Sequence, residues 1–402
     1  MTADTTSRMT AHDRARGRAA RWAAGILLCL GLLFAGARPL HAQTIETSAP
    51  YLILIDAATD TVLLEKNADE AVPPASMSKL MTIELIFNAL KEGRLKMEDK
   101  FHISENAWRK GGASSGGSTM FAELNSDIAL SDLIQGIIIQ SGNDACIAVA
   151  EGMAGTEEAF ASLMNTRARE LGLTNSTFAN ATGLPDPNHR MSVRDLAKLA
   201  RHIIYTYPDL YKYYSQTEFT WNGILQRNRN PLLREAPGAD GMKTGYIADA
   251  GYGLVGSVVR NDQRVILVMN GLKSIKERAE EARKIIDWSY RAFEQVEVFP
   301  KGAVVGEARV HGGTKRWVEL TGAEAIKILL PRTARRRMNA RIVYRGPLMA
   351  PIEQGQRVAE LRVNTDDGIN LTVPLYTAED VGRGSLQQRA LDSVLDLMTR
   401  WW

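Results

Sequence analysis

The decapeptide PPASMSKLMT, residues 73–82, decides how the rest of this 402-residue chain is read. It sets Ser76 three positions before Lys79, behind two prolines and at the head of an apolar-periodic segment. One reading is a capped helix start with a surface lysine. The other is a serine nucleophile with its own base one turn on, since residues i and i+3 share a helix face. A serine hydroxyl attacks only when a nearby base takes its proton. A lysine amine serves as that base once burial lowers its pKa, and a helix N-terminus favours developing negative charge. S-x-x-K alone does not separate the two readings, because the pair recurs by chance.

Around this stretch the chain reads as α/β. YLILIDAATDTVLLEKN (51–67) predicts two strands about a turn. A helix is expected from Ser76 to about Lys91, with Leu80, Ile83, Phe87 and Leu90 on one stripe. KGGASSGGSTM (110–120) and GLPDPNHRMS (183–192) read as loops, while LSDLIQGIII, DACIAVAEGMAG and VRDLAKLARHIIYTY read as helices. GMKTGYI, AGYGLVGSVVR and RVILVMNGL follow as strands, with RNDQ as a hairpin turn. An amphipathic helix over Lys276–Gln295 closes the region. The expected architecture is a mainly antiparallel sheet with inserted helices over residues 43–295.

Residues 296–384 have another texture, short strands at regular spacing, and predict a small β-sandwich. Their arginine cluster (Arg332, Arg335, Arg336, Arg337, Arg341) reads as a solvated strand face or an anion-binding one. Residues 385–402 form a last amphipathic segment. Leu386, Ala390, Leu391, Val394, Leu395, Met398, Trp401 and Trp402 share one stripe, and Arg389, Asp392, Asp396 and Arg400 take the other face. It is too short and too charged to span a bilayer. A helix lying in the membrane interface fits it, as does a helix docked on its own domain.

Residues 1–42 read as an export signal: arginines, then a 15-residue apolar run (Ala23–Ala37), then a small residue at Ala42. The run falls short of the ~20 apolar residues of a span, although an uncleaved anchor stays open. Six arginines and two aspartates in this stretch contribute +4 of a total of +3, so the remainder carries −1 and offers nothing for nucleic acid. Of two cysteines, only Cys146 stays outside the signal, so no intramolecular disulfide is expected. The four remaining histidines (His102, His189, His202, His311) lack metal-ligand spacing, and no phosphate or dinucleotide motif occurs; no metal or cofactor is expected.

Two further motifs favour the catalytic reading of the decapeptide. QSGNDAC holds Ser141 and Asn143 between two helices: the hydroxyl can relay a proton to a leaving amine, and the amide can hold a substrate. GMKTGYI holds Lys243, Thr244 and Gly245 on a strand, a fixed cation and a hydroxyl donor suited to a terminal carboxylate. A glycine there lets an extended substrate pair along the strand edge. The backbone N–H groups of Ser76 and Tyr246 are the candidate oxyanion donors.

S-x-x-K, S-x-N and K-T-G in this order form the signature of penicillin-binding proteins and class A β-lactamases. With PPASMSKLMT, GGSTMF, GLPDPNHRMSVRDLA, NRNPLL and GMKTGY, the chain resembles the low-molecular-mass penicillin-binding proteins, serine-type D-alanyl-D-alanine carboxypeptidases. The resemblance covers nearly all of the chain after residue 42. It implies a β-lactamase/transpeptidase-like catalytic domain and an acyl-enzyme on Ser76. The substrate it implies is a peptidoglycan stem pentapeptide, with β-lactams as acylating inhibitors; D,D-endopeptidase or β-lactamase activity on the same serine is the alternative. It implies a periplasmic protein attached peripherally to the inner membrane. Arg229 matches a family arginine near the carboxylate side, Tyr246 stands where the family often has histidine, and Asp186 lies near a family aspartate in a shifted register. RELGLTN (169–175) lacks the E-x-x-L-N of class A β-lactamases.

Overall fold

The computed structural model describes residues 45–332, 338–365 and 370–399. The expected export signal with Cys29, the arginines Arg335, Arg336 and Arg337, and the terminal Arg400, Trp401 and Trp402 lie outside the described residues.

Two segments far apart in sequence build one sheet. Strands β1 (Tyr51–Asp56) and β2 (Thr61–Lys66) open it, and β3 (Ala239–Ile247), β4 (Gly251–Arg260) and β5 (Gln263–Leu272) complete it. The order is β2-β1-β5-β4-β3, antiparallel throughout. The β4–β5 turn runs through Asn261 and Asp262 at φ 51° and 61°, the left-handed conformation that tight hairpins need. Strand β3 is left at the edge.

Strand β1 shows no polar alternation because both faces of the sheet are covered. Ile53 and Ile55 face the helical insert with Val255, Ile266 and Val268. Leu52 and Leu54 face the other way, with Leu267, Met269, and Ile285 and Ile286 of a covering helix. The period of two survives as a division between two apolar cores.

Within the insert, a 3₁₀ turn over Ala75–Ser78 precedes helix α1 (Lys79–Lys91), so the regular helix begins three residues after the expected Ser76. The single apolar stripe is also corrected. Lys79, Met81, Glu84, Ile86 and Ala89 are buried together with Leu80, Ile83 and Phe87, while Leu90 is half-buried. A helix buried on all sides is the centre of a bundle rather than its surface. Helix α2 (Asn143–Ala154) follows a π-helical turn over Gly136–Gln140.

Helix α3 (Ile275–Ala292) covers the other sheet face and ends three residues before the expected Gln295. Phe293–Phe299 is a strand instead, paired with Ile326–Pro331. The alternating FEQVEVF is captured by that partner. The C-terminal region adds a six-stranded sheet to this pair, around a core of Ala308, Val310, Val318, Leu320, Leu361 and Leu375. The last helix, α4 (Leu386–Thr399), is tied to the domain through Asp392: Gly312 N–H donates to its carboxylate at 3.0 Å. Asp392 is 6% exposed and Leu386 79% exposed. Among the described residues, no helix is long and apolar enough to cross a membrane.

Candidate active site

The Ala75–Ser78 turn is shaped by its neighbours. Ala75 adopts φ 51°, which costs a non-glycine residue about 1–3 kcal/mol and persists only where the surroundings impose it. Gly183 presses on its carbonyl: a Cβ there would sit 2.0 Å from the Ala75 oxygen. The Ser78 hydroxyl donates back to the same carbonyl at 3.0 Å, which leaves Ser76 as the hydroxyl that lines the cleft.

Lys79 is fully buried, yet its ammonium is satisfied three times. It donates to Ser76 Oγ at 2.8 Å, to Asn143 Oδ1 at 2.8 Å and to the Thr182 carbonyl at 2.6 Å. Burial pulls its pKa down to about 8, and the nearby Arg229 charge acts in the same direction. A neutral amine is therefore within reach close to physiological pH.

Ser141 and Asn143 flank the turn into α2. Ser141 sits at φ 66°, buried, with its hydroxyl unpaired among the described residues. Asn143 spends its amide oxygen on Lys79, which leaves its NH₂ for a ligand carbonyl. Asp144, which sequence reading passed over, anchors this corner. Its buried carboxylate accepts from Thr119 Oγ1 at 2.6 Å and from the N–H groups of Met120 and Ala122, each at 3.0 Å. The loop carrying Ser118 is thereby fixed against α2, where the Asn143 N–H donates to the Ser118 carbonyl at 2.8 Å.

The third wall is β3. A Cβ on Gly245 would lie 2.9 Å from the Pro74 oxygen and 3.1 Å from Met77 Cγ, so only glycine lets the strand pack this closely on the serine turn. Lys243 is buried with one weak contact, to the Thr244 carbonyl at 3.3 Å. Burial, reinforced by Lys79 and Arg229, pushes its pKa well below the ordinary lysine value. Tyr246 is exposed at the mouth and stacks on Tyr252 at 4.2 Å.

These walls enclose a cavity of about 470 Å³ lined by Ser76, Ser141, Arg229, Thr244 and, from α3, Arg278. Arg229 donates to Ser118 Oγ at 2.6 Å. Arg278 also escaped the sequence reading. It is 6% exposed, its Nε meets no acceptor among the described residues, and its guanidinium lies 5.8 Å from the Tyr252 ring centre. Its signal was present: Arg278 shares a helical stripe with Ala282, Ile285 and Ile286, where an arginine is out of place unless it serves a site. Lys243, Arg229 and Arg278 gather three basic side chains at one end of the cavity. Ser76, Lys79, Ser141, Asn143, Lys243, Thr244, Gly245, Tyr246 and Arg229 thus converge. Cys146, also near Lys79, is fully buried, with its thiol pushed up to about 12 by that burial, and is no nucleophile.

Residues 38–273 match the family profile of the D-alanyl-D-alanine carboxypeptidases, peptidase S11. This chain belongs to that family. A second match, to the C-terminal domain of penicillin-binding protein 5, covers residues 293–383 and starts where α3 gives way to strand. Among relatives, the D-alanyl-D-alanine carboxypeptidase DacC of Escherichia coli K12 is 38% identical over 92% of this chain and 92% of its own. DacF of Bacillus subtilis is 36% identical over 82% and 85%. The solved penicillin-binding protein 5 of Haemophilus influenzae superposes with a TM-score of 0.76 at 34% identity, covering 85% of this chain and 99% of that one. As a peptidase S11 member the chain is a serine hydrolase, with the mixed catalytic domain and β-rich C-terminal domain of its relatives.

Proposed function

We propose that this enzyme removes the terminal D-alanine from peptidoglycan stem pentapeptides through an acyl-enzyme on Ser76. One observation carries the assignment: a buried lysine, its pKa lowered to about 8, lies 2.8 Å from an otherwise unremarkable serine. Ser76 Oγ attacks the carbonyl carbon between the two D-alanines, and its proton passes to neutral Lys79 Nζ. The Ser76 and Tyr246 N–H groups hold the oxyanion. Collapse breaks the C–N bond, and the leaving amine takes the proton from Lys79 by way of the Ser141 hydroxyl. Water then adds to the ester with Lys79 again as base, releasing the shortened peptide and restoring Ser76. Asn143 holds the amide of the substrate. Lys243, Thr244, Arg229 and Arg278 take its terminal carboxylate. β-Lactams, which present a strained amide and a carboxylate to the same groups, acylate Ser76 and stay.

Labelling by a fluorescent penicillin and D-alanine release from diacetyl-Lys-D-Ala-D-Ala should both vanish in Ser76→Ala. Persistent labelling of that variant defeats the nucleophile assignment.

The working protein is, in this reading, exported after loss of residues 1–42, with a catalytic domain over 43–295 and a β-domain over 296–384. Residues 385–402 attach it to the periplasmic face of the inner membrane. The outward position of Leu386, with Asp392 tied to the domain, supports the last assignment.

A further inference from the structure

We infer that the C-terminal region holds a binding site for the phosphate headgroup of an anionic phospholipid, in a cavity between its strands and helix α4, gripped by Arg383 and Arg389. The inference rests on the reading of residues 385–402 as a membrane attachment. The cavity measures about 500 Å³. His311 and Met349 line it from the domain, Arg383 from the segment leading into the helix, and Leu386, Arg389 and Ala390 from the first turns of α4.

Backbone pairing fixes these walls. His311 ends the strand Val304–His311 and stands opposite Met349 in parallel register. The chain on either side of Arg383 is bonded to the turn after His311: the Thr314 N–H donates to the Gly382 carbonyl and the Gly384 N–H to the Gly312 carbonyl, each at 2.9 Å. Gly384 packs so closely that a Cβ there would lie 2.5 Å from the Gly313 oxygen. On the helix side, Asp392 holds the Gly312 N–H, and a Cβ on Gly312 would meet Arg389 Cγ at 3.5 Å. The Arg389 stem therefore lies across this turn, and its side chain lines the cavity.

The cavity is cationic. Among the described residues, no acidic side chain lines it. The carboxylates nearby in sequence are engaged elsewhere: Glu379 with Lys315, Asp380 with the Gln354 N–H, and Asp392 with Gly312 and, at 3.9 Å, Arg316. Neither Arg383 nor Arg389 makes a side-chain hydrogen bond or ion pair among the described residues. Two guanidinium groups thus share one cavity without an acidic lining residue. A bound phosphate relieves that crowding, since the guanidinium fork matches phosphate oxygens in pairs.

The rim favours a phosphate carried by a lipid over a free one. Met349 is 67% exposed, and Leu386, 79% exposed, belongs with Ala390 to the apolar stripe of α4. Apolar side chains left in water beside a cationic cavity suit a molecule with a charged head and apolar tails. Arginine stems lie along apolar surface while their charge stays at the polar boundary. With the stripe of α4 against the acyl chains, both guanidinium groups stand at headgroup depth, and an anionic lipid of that leaflet fills the cavity.

The test titrates the whole purified protein with dihexanoyl-phosphatidylglycerol below its micelle concentration, with the matching phosphatidylcholine, and with inorganic phosphate. The phosphatidylglycerol should bind at one per chain, about tenfold or more tighter than the other two, the scale of two arginines against an anionic headgroup. Arg383→Gln combined with Arg389→Gln should abolish that binding. Arg341→Gln combined with Arg362→Gln, which removes the same charge from a facing pair outside the cavity, should leave it. Equal binding of inorganic phosphate would overturn the lipid as occupant. Equal loss in both variants would reduce the effect to diffuse charge and overturn the site. Co-sedimentation with phosphatidylcholine vesicles, with and without phosphatidylglycerol, completes the test. The anionic vesicles should retain more of the unaltered protein, and the variant lacking Arg383 and Arg389 should lose that difference while still sedimenting with both. If the unaltered protein sediments with neither vesicle, the attachment reading fails as well; equal sedimentation fails this inference alone.

Discussion

The Lys79 ammonium donates to the Asn143 amide oxygen at 2.8 Å, across a sequence separation of 64 residues. The side chain proposed above as the base for Ser76 is thus oriented from the opposite wall of the cleft. Asn143→Ala removes that constraint and leaves one ammonium donor unpaired in a buried site. Penicillin acylation should slow by about 100-fold, the usual consequence of a misplaced catalytic group. Stopped-flow acylation beside a thermal melt checks this: a fall in rate with a nearly unchanged Tm is expected, and an unaltered rate defeats the positioning role.

Lys79 must be neutral to accept a proton, and burial sets its pKa at about 8. Acylation should therefore rise with pH on a limb centred near 8 and fade below 7. Asn143→Asp sets an anion against the ammonium, stabilises the charged form and should move the limb to higher pH. A pH series of acylation rates for both proteins reads the shift. A limb that stays in place, or moves down, removes Lys79 as the base.

Arg278 carries a positive charge inside the site and forms no ion pair among the described residues. Arg278→Gln should raise KM for a peptide ending in a free carboxylate by about tenfold or more, the worth of a hydrogen bond to a charged group. Turnover of the corresponding C-terminal amide, poor in both proteins, should hardly change. Equal losses on the two substrates would mark Arg278 as a packing residue.

Helix α4 presents Leu386 outward while Asp392 holds the helix to the domain. Leu386→Glu should shift the protein from the vesicle pellet to the supernatant in a co-sedimentation assay, without changing penicillin labelling. Retention on the vesicles would show that attachment lies elsewhere.

Much of the catalytic cleft was legible in sequence because it is built from short motifs with fixed internal spacing. Ser76 and Lys79 sit one turn apart, and Lys243 to Gly245 lie on one strand. The antiparallel sheet with its helical insert was legible from where the strands opened and closed the domain, but its strand order, with β1 beside β5, was not. The surroundings were less legible. Asp144 binds a loop more than twenty residues upstream through backbone N–H groups, which leave no mark in composition. Arg278 reaches the site only because α3 folds over the sheet. The all-round burial of α1 is a property of its neighbours, and periodicity within one segment cannot report it. The end of α3 was misjudged because Phe293–Phe299 takes a partner, Ile326–Pro331, that local propensity does not see.

The pairing of Tyr51 with Asn270 also imposes a schedule on the folding chain. A polypeptide that emerges N-terminus first delivers β1 more than two hundred residues ahead of β5, its central neighbour. In the interval β1 and β2 form at most an isolated hairpin, which is marginal in water. Both apolar faces of β1 then wait uncovered, and closing so long a loop is slow. The catalytic domain cannot complete its sheet until residue 272 has arrived. By then the motifs around Ser76, Asn143 and Lys243 have all emerged, so the site and the fold are completed together.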